Sequence, residues 1–280
     1  MPSEYNPQLV DGMSAKFRRL NNPAHALVDS LSMPFGIPGM IAFWPGTNGT
    51  TAASFGLRDE STSGLHLTGS ASPAVHEAES TSLRTWMLYN GSSNYHYIAD
   101  AAYNSILGTS TALASGIRGF TFMAWVRPSS AIGTSETIGA KWLTTGNQRS
   151  WRLRRNSTGP LLFSITSDGT TGTLVEVTGS NNLLQNTWHF IAARFTPSTE
   201  LRVWESDGGA LTENANTTSI PAALHDSTTD LMMGASGSNA ASAEYWNGYL
   251  SRMILCRAAV PDIFIDTYFQ FTAPLFGVTV

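Results

Sequence analysis

Apolar and polar positions alternate with period two through a series of short runs, most clearly in residues 119–128, GFTFMAWVRP. Phe120, Phe122, Ala124 and Val126 fall on one face and Thr121, Met123, Trp125 and Arg127 on the other, as successive side chains of an extended strand must. Runs at 40–44, 151–155, 160–167, 187–195, 200–205 and 246–257 predict further strands, separated by Gly, Ser, Thr and Asn clusters that supply turns. Residues 81–98 predict two strands around the turn NGSS, 172–178 predicts another, and 99–118 reads as a long loop. The expected fold is all-β, a sandwich of antiparallel sheets.

The two ends depart from this pattern. In residues 1–39, AKFRRL and ALVDSL are helix-compatible, but Pro34, Gly36, Pro38 and Gly39 stop any helix before the first strand. That stretch is too short for a core of its own, so it is expected to act as an arm that packs on the sandwich or holds a partner. Lys16, Phe17, Arg18 and Arg19 are its candidate docking residues. After the sandwich (40–260), residues 261–280 predict a helix in DIFIDTYFQF followed by the apolar tail APLFGVTV. Phe269, Phe271, Leu275, Phe276, Val278 and Val280 would be costly to expose, so they either return to the sandwich or cover a neighbour. On the second alternative Phe271, Leu275, Phe276 and Val280 join the arm as partner-docking candidates.

Five segments, IAFWPG (41–46), MAWVRP (123–128), TWHFIAARF (187–195), LRVWESDGG (201–209) and WNGYLSRMILCRAA (246–259), stand in an order that resembles the laminin-G-like, or concanavalin A-like lectin/glucanase, family. The resemblance implies a jelly-roll β-sandwich over roughly residues 40–260. The arm, with motifs such as NNPAHALV before the first strand, resembles the bacteriophage virion proteins that carry such domains. It implies a structural role, most directly as a capsid decoration or cement protein and otherwise in a fibre or tail, in many copies or as a homo-oligomer. The major capsid protein or other virion subunits would be the partners. The alternative is a carbohydrate-binding, lectin-like module or host-surface adhesin with a glycan as partner. The family also admits a structural calcium ion, for which the sequence identifies no ligand set.

Composition narrows the classes. Charged residues make up 13% of the 280, about half the usual ~25%, and Lys16 and Lys141 are the only lysines. With a net charge of −4 no general attraction to nucleic acid or anionic membrane is expected. The opening MPSEYNPQLVDG has no basic and apolar signal pattern, and no run approaches a membrane span. The expectation is a chain made in the host cytoplasm and used in the virion.

Candidate chemistry is sparse, and no catalytic or metal-binding residue and no cofactor is assigned. Glycosidases of this fold need two carboxylates flanking the scissile bond, and their Glu-x-Asp-x-x-Glu pattern is absent. Glu77 with Glu79 and Glu205 with Asp207 have period-two spacing, but VHEAES reads as a loop and ESDGG as a hairpin, so both pairs are expected in solvated loops. Asp59, Asp168 and Asp226 read as turn supports, and His189 as a structural residue of its strand. Cys256, the single cysteine, sits in the apolar run MILC as a buried hydrophobe. Trp142, Trp151 and Tyr245 are the candidate sugar-stacking residues, set against a core role for tryptophans in this fold. In RSWRLRR, Arg152 and Arg154 share a strand face while Arg155 points away.

Overall fold

The computed structural model describes residues 37–46, 56–70, 75–78, 85–102 and 119–280. Lys16, Phe17, Arg18 and Arg19 lie outside the described residues. Two large antiparallel sheets face each other. The eight-stranded sheet runs β13 (Ala210–Asn216), β12 (Glu200–Asp207), β11 (His189–Thr196), β6 (Phe120–Pro128), β17 (Asn247–Cys256), β4 (Thr85–Asn90) and β3 (Val75–Ala78), with β1 (Met40–Trp44) also paired to β17. The seven-stranded sheet runs β10 (Val175–Asn182), β9 (Pro160–Ile165), β8 (Gln148–Arg155), β7 (Glu136–Leu143), β14 (Leu231–Met233), β5 (His96–Ile98) and β2 (Thr68–Gly69). A small ribbon pairs β15 (Ser236–Ser238) with β16 (Ala241–Ala243).

The period-two pattern decides what each face covers. Phe120, Phe122, Ala124 and Val126 of β6 enter the core between the sheets, meeting Trp151, Leu153, Phe163 and Ile165 of the opposite sheet. Met123 and Trp125 point the other way, into a second core on the outer face of the eight-stranded sheet. That face is roofed by α1 (Asp262–Thr272), whose Ile265, Tyr268 and Phe269 turn inward. The short 3-10 turn Ala273–Phe276 then lays Phe276 flat on Trp125, centroids 4.3 Å apart and planes 14° from parallel. Trp125 Nε1 donates to Thr272 Oγ1 at 2.8 Å, so the indole meets both a ring and an acceptor. β6 is therefore buried on both faces, in three layers of secondary structure.

Polar staples fix these layers. Arg194 of β11 donates to Val260 O (2.7 Å), to Asp262 at the start of α1 and to Glu200 Oε1 (2.5 Å), tying the helix to the sheet. Arg155 and Glu136, both buried, pair at 2.9 Å, and Ser130 shares the pair. Asp59 accepts from the amides of Phe43, Ser61 and Leu65 and from the Ser61 hydroxyl, which holds its loop against β1. The turn role read for Asp59 is what its geometry supplies. Cys256 is fully buried in the outer core, and burial pushes its thiol pKa far up, as for the inert hydrophobe expected.

Both carboxylate segments differ from the sequence reading. VHEA is strand β3, paired with β4 so that Glu77 stands opposite Trp86, and not a loop; its polar edge position erased the alternation. Glu205 is not solvated: it is 1% exposed on β12, with its carboxylate in the interior.

Candidate functional site

The outer face of the eight-stranded sheet is roofed by α1 over only part of its width. Beyond the helix stands a group of half-buried aromatic side chains drawn from different strands: Trp86 of β4, Tyr249 of β17 and Trp188, which leads into β11. Alternation puts them there. In β4, Met87 and Tyr89 enter the inter-sheet core and leave Trp86 outside; in β17, Leu250 enters it and leaves Tyr249 outside. His189 pairs with Val126, so Trp188 comes level with Arg127, which itself pairs with Tyr249.

The rings touch one another. Trp86 and Trp188 lie 5.7 Å apart, each about 6 Å from Tyr249, at 6.1 and 6.2 Å. Trp188 also meets Phe276 at 4.7 Å, so the group is continuous with the packed outer core. The Arg127 guanidinium sits over the Tyr249 ring at 5.2 Å, and its Nε donates to Asn186 O at 3.1 Å. The neighbouring loop is pinned: Asn186 N donates to Pro128 O (2.7 Å) and Gln185 Nε2 to Ser129 O (2.7 Å). Behind it, buried His189 donates from Nδ1 to Ser206 O and accepts from Leu184 N at Nε2. Desolvation lowers the His189 pKa, which keeps the ring neutral in the structural role expected for it. The result is an aromatic platform, partly open to solvent, on rigid supports.

The aromatic residues singled out from sequence do not form such a surface. Trp151 is 1% exposed in the inter-sheet core against Phe120 and Phe122, so it cannot meet a sugar. Trp142 is 4% exposed and its ring is covered by the Arg152 guanidinium at 4.6 Å. Tyr245 is half-buried beside Tyr95, its hydroxyl sharing a hydrogen bond with Ser242 Oγ. Trp142, Arg152, Ser236 and Glu244 line a pocket of about 130 Å³, below the ~300–1,000 Å³ of ordinary ligand pockets. Arg152 and Arg154 share the face read for them, each donating to Glu244 at 2.8 Å.

The C-terminal candidates divide. Phe276 is buried against Trp125 and serves the chain's own fold, while Leu275 packs half-buried on the same core. Phe271 (63%) and Val280 (56%) stay exposed, and α1 adds Ile263 and Phe264 to that outward surface.

The carboxylates are occupied. Glu205 accepts from Leu161 N (2.7 Å) and Asn181 N (3.0 Å), bridging the eight-stranded sheet to the edge of the other. Desolvation raises its pKa against the lowering effect of those amides. Gly179 leaves the room, since a Cβ there would lie 2.1 Å from the Glu205 carboxyl carbon. Asp207 is exposed at the end of β12, before the turn at Gly208 and Gly209. Asp168 accepts from Thr170 and Thr173, whose hydrogen bonds lower its pKa. Among the described residues no three His, Cys, Asp or Glu converge as a metal set.

Family comparison agrees with this geometry at the level of fold. The Laminin_G_3 family model, described as the concanavalin A-like lectin/glucanases superfamily, matches residues 91–260, and the chain belongs to that superfamily. No curated protein matches. Among solved structures, the receptor binding domain of the botulinum neurotoxin C/D mosaic serotype is similar at a TM-score of 0.58 and 11% identity, over 86% of this chain and 55% of that one. The binding domain of botulinum neurotoxin DC in complex with SialylT gives 0.55 and 11%, over 82% and 51%. A type C neurotoxin structure, described by cell entry dependent upon interaction with two ganglioside molecules, gives 0.54 and 11%, over 84% and 51%. The chain spans about half the length of these structures, and at such identities the likeness is one of fold.

Proposed function

We propose, from membership in this superfamily, that the chain is a non-catalytic binding module and that Trp86, Trp188 and Tyr249 form its platform for the face of a sugar ring. The observation that carries this is the platform itself: three touching, half-buried rings, uncovered by α1 and held on strands and a pinned loop. Such rings offer a large apolar contact at low entropic cost, and the C–H face of a pyranose matches it. The absence of catalysis is supported by the carboxylates: Glu205 is spent on buried amides and Glu244 on two arginines. The similar neurotoxin domains, described with SialylT and gangliosides, lend support by analogy of fold alone.

Titration against an oligosaccharide library tests this reading. The expected result is a saturable ligand whose affinity falls by about tenfold or more, ~1.4 kcal/mol, in Trp86→Ala and Trp188→Ala, with no sugar released. Binding that survives both substitutions, or turnover of the ligand, overturns it.

A second reading concerns setting. The outward surface of Ile263, Phe264, Phe271 and Val280 favours attachment to protein, and with the phage-like arm it supports a place in a bacteriophage virion, in many copies against capsid or other subunits. Stoichiometric recovery with a capsid protein is the expected observation, and recovery as a particle-free monomer overturns it.

A further inference from the structure

Resting on the platform reading, we infer that the preferred ligand is an acidic sugar, a pyranose bearing a carboxylate, with Arg127 as the residue that sets the preference. Most sheet arginines are neutralised: Arg152 and Arg154 share Glu244, Arg155 pairs with Glu136, and Arg194 and Arg202 share Glu200. Arg127 is different. Its Nε donates to the Asn186 carbonyl and its guanidinium lies over Tyr249, but it forms no ion pair among the described residues.

Its two terminal nitrogens therefore carry an uncompensated charge at the margin of the platform. A guanidinium held over a tyrosine ring is oriented in advance, and its planar fork matches a carboxylate by two parallel hydrogen bonds. The ring beneath it and the carbonyl on Nε fix its plane. Arg127 stands on β6 at one end of the platform and Trp86 on β4 at the other, two strand spacings or roughly 10 Å away. A ring stacked on Trp86, Trp188 and Tyr249 would then direct its carboxylate toward Arg127 on β6.

The experiment pairs charged and neutral forms of one ligand: oligomers of galacturonate, glucuronate and mannuronate, each against its own methyl ester, titrated onto the full chain. Wild type should prefer one acidic form over its ester by about tenfold or more, and the ratio should fall close to one in Arg127→Gln while Arg127→Lys keeps part of it. Equal affinity for acid and ester in the wild type overturns the inference and leaves the platform reading standing. A preference that persists in Arg127→Gln overturns the assignment to Arg127. No binding of any oligomer, acid or ester, removes the platform reading for these sugars and this inference with it.

Discussion

Glu205 shows how much a single side chain can hide in a sequence. In ESDGG it has the look of a hairpin residue, yet the strand continues through it and its carboxylate replaces a strand partner for two amides of the opposite sheet. Glu205→Ala should destabilise the fold by about 1–3 kcal/mol, the cost of leaving buried donors unpaired, measured as a shift in denaturation midpoint. Its pH signature has a definite sign. Burial raises the folded pKa above the unfolded value near 4.3, so the stability it contributes is complete below that value and is lost as pH rises through the folded one. Relative to wild type, Glu205→Gln should gain stability with rising pH across that window. A flat difference between the two proteins would contradict the assignment. The aromatic residues carry the same lesson: the candidates Trp142, Trp151 and Tyr245 form no open surface, whereas the outward phase of TWMLYN and NGYL marks Trp86 and Tyr249. Strand phase locates the half-buried rings of the platform.

At the scale of elements, the strands with two distinct faces or full burial by large residues were legible. β6 and β17 follow the alternation read from their letters, and the break in β17 falls at Arg252, held at φ 49°, where the register with β6 shifts. β7 was missed because two register shifts interrupt its period and because Gly139 and Lys141 sit among its buried positions. β13 was missed for the opposite reason: it is an edge strand with little burial on either face, and ALTENAN has no apolar phase to read. The helix α1 was legible from its spacing, but its anchor was not, since Arg194 reaches it from β11. Arg194→Ala should cost about 1–3 kcal/mol by taking one of the two arginine partners from buried Glu200 and the donor from Val260 O, and should loosen α1 enough to change Trp125 fluorescence. Glu200 opposes Glu205 in sign. Burial pushes its pKa up, but hydrogen bonds and charge from Arg194 and Arg202 outweigh it and leave the pKa lowered. Its contribution is therefore present above pH ~4.3 and lost as pH falls through the folded value, so Glu200→Gln should flatten the acid limb of the stability profile.

For the whole molecule, the question left by the apolar C-terminal segment was whether it serves the fold or a neighbour, and the structure assigns its residues to different tasks. Phe276 closes the outer core between Trp125 and Trp188, while Phe271 of α1 is 63% exposed. Intrinsic stability and association should therefore separate by substitution. Phe276→Ala removes a buried ring and should cost about 3–5 kcal/mol, and because Trp188 leans on that ring it should also weaken ligand binding at the platform. Phe271→Ala should leave the unfolding midpoint within about ±0.5 kcal/mol of wild type, since its side chain is already in water. If the chain is carried on a particle through this surface, the same Phe271→Ala substitution, joined with Ile263→Ala, should lower its occupancy there without altering sugar binding. Full occupancy by the double variant would direct the search for the attachment surface away from α1; loss of folding in it would contradict the division of labour drawn from burial.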